Sequence, residues 1–243
     1  MKLPPVIGHR GAAAHAPENT LAGLRAAAAQ GVRWVEVDVM LSRDRVPVLV
    51  HDDTVDRTTD GTGAIADLTF DALRRLDAGS WFAPTFTGER IPSLVEAVEL
   101  ATRLGLGLNL EIKPSPGRDA ETAEVALATL RKVWPQGAPL LISSFELPCL
   151  EVAMRVAPDW PRGYLLWDPP DDWATQADRI AAATLAVEQA RQTPDTIAAH
   201  IATGRPVLAY TVNDPARARD LFAWGIAAVF TDTPRDILPV APR

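Results

Sequence analysis

Residues 33–51 read RWVEVDVMLSRDRVPVLVH, and this stretch decides the fold. Trp34, Val35, Val37, Val39 and Met40 suit a strand buried on both faces, as in a parallel sheet covered by helices. Glu36 and Asp38 interrupt it two residues apart, a spacing that points both carboxylates the same way. Ser42 to Arg45 reads as a turn, and Val46 to Val50 as a second strand returning antiparallel to the first. A turn centred on Asp44 sets His51 opposite Val37, beside Glu36 and Asp38. Two like charges buried in a strand cost several kcal/mol unless something neutralises them, and a divalent cation does so with a single ligand. The hairpin therefore predicts a metal site with an imidazole next to it.

Outward from the hairpin, the chain alternates short apolar runs with helical patterns. Strands are expected near residues 6, 34, 108, 140, 164, 185, 207 and 228, the last but one spanning Pro206 to Val212. Each is followed by a helical pattern. Helices are expected over Leu21 to Gln30 with Asn19 or Thr20 as cap, Phe70 to Leu76, from a Ser93/Glu96 capping box to Leu104, and Trp173 to Ala182. Gly31, Gly105, Gly204 and Gly225 stand where helices should stop. Eight β/α units favour a closed TIM (β/α)8 barrel over an open doubly wound sheet. Residues from about 53 to 90 break the rhythm with RTTDGTG and SWFAPTFTGERIP, and read as a small insertion after the second-strand hairpin. The 243 residues suit one domain, 1–243, around one core.

Composition narrows the function. A hydrophobic share of 47% and a charged share of 23% belong to an ordinary globular chain. The net charge of −7 argues against a nucleic-acid partner, which needs a basic face. One cysteine, Cys149, permits neither an internal disulfide nor a thiolate zinc site. The first residues lack the apolar run of a signal peptide, and no stretch is apolar enough for stable membrane insertion. A cytoplasmic location is expected, and oligomeric state is left open.

In a parallel barrel the active site gathers at the C-terminal strand ends. His9, Glu36, Asp38 and Glu111 all fall there. Glu36, Asp38 and Glu111 make an all-oxygen donor set for a hard cation, Mg²⁺ or Ca²⁺, with Mn²⁺ a third candidate. Three carboxylates and one divalent ion leave −1, which Lys113 brings to neutral. An anionic substrate then needs a further cation, and the planar fork of Arg10 can grip phosphate. His9 and His51 can supply acid and base on opposite sides of a scissile bond near neutral pH. His15 and His200 read as structural or exposed.

These residues resemble the glycerophosphodiester phosphodiesterase family. The likeness rests on HRG at 9–11, PENT at 17–20, EVDV at 36–39, VPVLVHD ending at Asp52, RTTDGTG at 57–63, GSWF at 79–82, IPSL at 91–94, EIK at 111–113, SSF at 143–145, TVN at 211–213 and TDTP at 231–234. The motifs keep the family's order across nearly the whole chain. The resemblance implies a TIM-barrel enzyme hydrolysing small-molecule glycerophosphodiesters to glycerol 3-phosphate and an alcohol. It assigns acid–base chemistry to His9 and His51, a divalent cation to Glu36, Asp38 and Glu111, and phosphate positioning to Arg10 and Lys113. The family often has Trp before TVN where this chain has Tyr210, which keeps an aromatic wall for the glycerol.

Two other readings use the same site. A lysophospholipase D would need apolar surface beside the pocket, which Trp81, Phe82, Pro84 and Phe86 could offer. A binding barrel without catalysis should lack a site residue, and none is missing.

Overall fold

The hairpin's first arm, β2 (Trp34–Leu41), is buried at all eight positions. The computed structural model describes residues 3–242. In chain order the elements are β1 (Val6–Gly8), α1 (Leu21–Ala29), β2, β3 (Pro47–Leu49), α2 (Phe70–Leu73), α3 (Leu94–Arg103), β4 (Gly107–Ile112), α4 (Asp119–Val133), β5 (Leu140–Ser144), α5 (Leu147–Val156), β6 (Arg162–Leu166), α6 (Trp173–Arg179), β7 (Thr184–Glu188), α7 (Pro194–Ile201), β8 (Val207–Tyr210), α8 (Pro215–Ala223), β9 (Ala228–Thr231) and α9 (Pro234–Ile237). Eight parallel strands run in the order β1-β9-β8-β7-β6-β5-β4-β2, and β1 pairs with β2 to close the barrel. The remaining strand, β3, lies antiparallel on β2. The chain is a TIM barrel, and the weak expected strand near 185 is β7.

Alternation along β2 sorts its side chains into two cores. Val35, Val37 and Val39 join the cluster between the sheet and the surrounding helices. Trp34 faces the barrel interior with Ile7, Leu141, Leu165, Ala186, Leu208 and Phe230. Its indole lies over Gly107, where an added Cβ would come within 2.5 Å of the ring nitrogen. The interior is thus filled below, and Glu36 and Asp38 continue the same face upward toward the mouth. Deleting a large side chain from either core, such as Leu110 at 0% exposure, costs about 2–5 kcal/mol.

The helix ends follow local chemistry. Thr20, rather than Asn19, caps α1 by accepting from Gly23 N. The Ser93/Glu96 capping box opens α3, and Gly105 with φ +68° ends it. Three expectations ran two or more residues past the observed end. The helix from Trp173 stops at Arg179 because Ala181 adopts φ +47° and Ala182 N returns to Ala177 O, the closing bond of a Schellman turn. No glycine announces that stop. The helix from Phe70 ends at Leu73, where Leu76 N turns back to Leu73 O and Asp60 takes the N–H of Asp77. The strand expected to reach Val212 ends at Tyr210, its last ladder partner being Glu188.

Residues 53–90 pack on the hairpin. Val55, Ile65, Leu73 and Ala78 form a small core with Met40, Val48 and Val50 of its two arms. Among the described residues, no helix is long and apolar enough to cross a membrane.

Candidate active site

The register of the hairpin places the chemistry. Val39 pairs with Leu49 and Leu41 with Pro47, the register that a turn at Asp44 requires, so His51 emerges just past β3 at the barrel mouth. Across the other edge of β2, Glu36 pairs with Asn109 and Asp38 with Glu111. Carboxylate oxygens of Glu36, Asp38 and Glu111 lie within 4.8 Å of one another. The sequence-expected triad is therefore one cluster.

Its surroundings fix two of the three acids. Asn19 Nδ2 donates to Asp38 Oδ2 at 2.8 Å while Asn19 Oδ1 accepts from Asp38 N at 3.1 Å. Arg10 N donates to Glu36 Oε2 at 2.9 Å, leaving Glu36 Oε1 buried with no hydrogen-bond partner. Burial, compounded by Asp38 and Glu111, raises the Glu36 carboxyl well above its usual range. Burial followed by the charge of Asp38 lifts Glu111 to about 8. An all-oxygen cluster with an orphaned oxygen and two strongly destabilised carboxylates fits a hard divalent cation.

The loop carrying His9 and Arg10 needs its glycines. Gly11 has φ +93°, and a Cβ there would meet the Gly23 backbone at 2.5 Å, so this turn sits directly on the start of α1. Arg10, itself at φ +49°, directs Nη1 to Glu18 Oε1 at 2.8 Å and sets Nε 3.4 Å from Asp38 Oδ2 without a hydrogen bond. Burial is the largest single effect and lowers its pKa, but Asp38, Glu18 and Glu36 together outweigh it and leave the pKa raised.

Each imidazole has a carboxylate on the side away from the pocket. His9 Nδ1 donates to Asp232 Oδ1 at 2.7 Å, and Asp232 is steadied by Asn213 Nδ2 at 2.7 Å. His51 Nδ1 donates to Asp52 Oδ1 at 2.6 Å. A carboxylate can only accept, so each ring carries its proton on Nδ1 and turns Nε2 toward the centre. His9 Nε2 lies 3.9 Å from Glu36 Oε2, and His51 Nε2 accepts from Lys113 Nζ at 2.7 Å. Burial lowers the pKa of His51, with Asp38 opposing the shift, and this favours the neutral ring.

These groups surround one cavity of about 410 Å³. His9, Arg10, Glu36, His51, Glu111, Lys113 and Tyr210 line it together with Phe145, Leu165, Trp167 and Phe230. All eight expected site residues are thereby gathered, with Asp38 behind the lining in the same cluster. The Tyr210 hydroxyl donates to Leu166 O at 2.9 Å, and its ring meets Phe145 edge-on at 5.7 Å. The apolar wall comes from strand ends β5, β6, β8 and β9. Trp81, Phe82, Pro84 and Phe86 of the insertion do not line it; Phe82 instead stacks edge-on with Trp81 and Phe86. His200 stacks against Trp173 at 4.7 Å, away from the cavity. Sequence reading gave no role to Asp52, Asp232, Asn213 or Trp167. The first three stand inside the quoted motifs, and Trp167, 55% exposed at the rim, follows β6.

Comparison with known proteins agrees with this geometry. The Glycerophosphoryl diester phosphodiesterase family matches residues 9–236. A glycerophosphodiester phosphodiesterase of Caldanaerobacter subterraneus subsp. tengcongensis is 32% identical over 237 residues, 96% of each chain. A phosphodiesterase of Oleispira antarctica, solved with its product sn-glycerol-3-phosphate, superposes with a TM-score of 0.95 at 43% identity, covering 98% of this chain and 96% of that one. The glycerophosphodiester phosphodiesterase of Agrobacterium tumefaciens C58 gives 0.81 at 29%, covering 98% and 100%.

Proposed function

The chain belongs to the glycerophosphoryl diester phosphodiesterase family and is an enzyme of that activity; from that premise we propose that it hydrolyses glycerophosphodiesters to glycerol 3-phosphate and an alcohol by metal-dependent acid–base catalysis at His9 and His51. The observation that carries the proposal is the pair of carboxylate-held imidazoles turned toward one cavity beside the three-carboxylate cluster. The product found with the Oleispira antarctica enzyme supports a substrate with a glycerol phosphate arm. Residues 1–243 act as one domain in this reading, the insertion included.

Glu36, Asp38 and Glu111 would hold a divalent cation, Mg²⁺ or Ca²⁺ by their oxygen chemistry, with Mn²⁺ a third candidate. When bound, the cation would offset two of the cluster's three negative charges and polarise a phosphoryl oxygen. Arg10 and Lys113 draw in the substrate's phosphate and orient it between the two rings. Lys113 then gives up its contact with His51 Nε2, which frees that nitrogen for proton transfer. One Nε2 takes the proton of the attacking oxygen, from water or from the substrate's own glycerol hydroxyl. The other delivers a proton to the departing alkoxide as the P–O bond breaks. If the hydroxyl attacks, the first product is a cyclic phosphate, and water opens it with the proton roles reversed. Asp52 and Asp232 keep both rings in the required tautomer and stabilise the imidazolium that forms in turn. Tyr210, Phe145 and Trp167 wall the glycerol side and exclude water from it.

The same cavity could serve a lysophospholipid through its apolar wall, and vesicle-dependent turnover would favour that reading over the deacylated diester. The test uses metal-stripped protein with glycerophosphocholine, glycerophosphoethanolamine and a lysophospholipid, and adds back Mg²⁺, Ca²⁺ or Mn²⁺. Metal-dependent release of glycerol 3-phosphate, lost in His51→Ala, is expected. Full turnover in excess chelator would refute metal dependence.

A further inference from the structure

Arg57 lines neither the cavity nor the acidic cluster, yet four hydrogen bonds converge on its guanidinium. Nε donates to Asp52 Oδ2 at 2.7 Å and Nη2 to Asp52 Oδ1 at 3.0 Å. Nη1 donates to Glu18 Oε2 at 2.8 Å and Nη2 to Glu18 Oε1 at 2.8 Å. Each carboxylate is thus held at both oxygens by one planar fork, the geometry that fixes orientation best.

Each of these carboxylates also grips a cavity residue. Asp52 Oδ1 accepts from His51 Nδ1 at 2.6 Å, and Glu18 Oε1 accepts from Arg10 Nη1 at 2.8 Å. The result is one continuous chain, Arg10–Glu18–Arg57–Asp52–His51. Its ends belong to different parts of the barrel mouth, Arg10 following β1 and His51 following β3. Arg57 comes from the inserted segment and closes the gap between them. An isolated surface ion pair would hold little, but this one is a bidentate network anchored on partly buried groups: the Glu18 side chain is 11% exposed against 45% for Arg57. The Arg57 hydrogen bonds also hold the Asp52 carboxyl well below the usual range, so it remains an acceptor for His51.

We infer that Arg57 is a positioning residue for the reaction: it sets the phosphate-gripping guanidinium of Arg10 and the imidazole of His51 in register, and gives the inserted segment a part in catalysis. The inference rests on the roles proposed above for Arg10 and His51. Without Arg57, Asp52 loses the partner that fixes its plane, and Glu18 is left with Arg10 as its one guanidinium among the described residues. The His51 ring and the Arg10 fork then sample positions off the line of proton transfer, which lowers kcat and raises KM together.

The experiment compares wild type, Arg57→Ala, Arg57→Lys, Asp52→Asn, the double variant Asp52→Asn/Arg57→Ala and His51→Ala on glycerophosphocholine with saturating divalent cation. For Arg57→Ala, kcat should fall about 10–100-fold, as for other residues that orient a catalytic ligand from behind. Its Mn²⁺ affinity should match wild type, because Arg57 touches none of the three cluster acids. Millimolar guanidinium should restore part of the lost rate to Arg57→Ala and none to His51→Ala. Lysine, with one point charge in place of the fork, should recover less than guanidinium does. Adding Arg57→Ala to Asp52→Asn should cost less than it does in wild type, because both act through His51. A kcat/KM within twofold of wild type overturns the inference, as does a loss that guanidinium leaves unchanged and that is fully additive with Asp52→Asn. Full activity in His51→Ala would instead refute the catalytic reading on which the inference rests.

Discussion

Replacing Glu111 with glutamine should weaken the enzyme and strengthen the metal-free fold, and both effects come from one charge. In the folded chain Glu111 keeps its proton up to about 8, against 4.5 for an ordinary glutamate, because burial and then Asp38 disfavour the ion. Between those limits the native state binds a proton that the unfolded chain has released. Each such proton tilts stability downward by about 1.36 kcal/mol per pH unit as pH rises. The penalty is absent below pH 4.5, grows to about 5 kcal/mol at pH 8, and is constant above it. Glu36, also raised, adds a second proton to the same slope. Glutamine has no proton to lose and removes one of the charges that raise Glu36. Urea unfolding of the wild type in excess chelator should therefore show stability falling steeply from pH 5 to 8, while Glu111→Gln falls less steeply by about 1.4 kcal/mol per pH unit. At pH 9 the metal-free variant should be the more stable protein. Saturating Mg²⁺ or Ca²⁺ should narrow the gap, since a ligand at a hundred times its Kd adds about 2.7 kcal/mol to the chain that binds it. Parallel curves in chelator, or a variant less stable than wild type at pH 9, would refute the charge argument.

Other outcomes follow from individual contacts. Asp232→Asn should leave Mn²⁺ affinity unchanged and lower kcat about 10–100-fold, because an amide can present its N–H to His9 Nδ1 and reverse the tautomer; unaltered kcat would refute the role given to that pair. Tyr210→Phe should lose about 1 kcal/mol of stability with the bond to Leu166 O while keeping kcat within a few-fold, since the ring rather than the hydroxyl walls the cavity; a hundredfold loss of rate would assign chemistry to the hydroxyl. Ala181→Gly should stabilise the fold by about 0.5–1 kcal/mol by relieving the left-handed conformation at the end of α6, and a lowered thermal midpoint would contradict that reading.

Much of this site was legible because it is local. Alternation in β2 set Glu36 and Asp38 on one face, and a turn centred on Asp44 fixed the register that delivers His51. Glu111 followed from the strand count, since each barrel strand offers its C-terminal end to the same mouth. What could not be read depends on closure of the barrel. Asp232 reaches His9 across 223 positions of sequence, and no periodicity links them. Arg57 lies in a turn-rich run whose course is set by its small core against Met40 and Val48. The apolar surface that a lysophospholipid would need from Trp81, Phe82, Pro84 and Phe86 does not reach the cavity, whose apolar lining includes Phe145 and Trp167, the residues that follow β5 and β6. The early stop of α6 was hidden for a simpler reason: an alanine occupies the position where glycine would have signalled it.

The central claim is that His9 and His51 divide the work of base and acid. The most direct test compares His9→Ala and His51→Ala on glycerophosphocholine and on glycerol 3-phosphate esterified to p-nitrophenol, a leaving group that needs no proton to depart. One variant should lose activity on the choline ester and recover most of it on the nitrophenyl ester, which identifies the acid, while the other stays impaired on both, which identifies the base. Equal losses on both esters in both variants, or wild-type rates in either, would contradict the account.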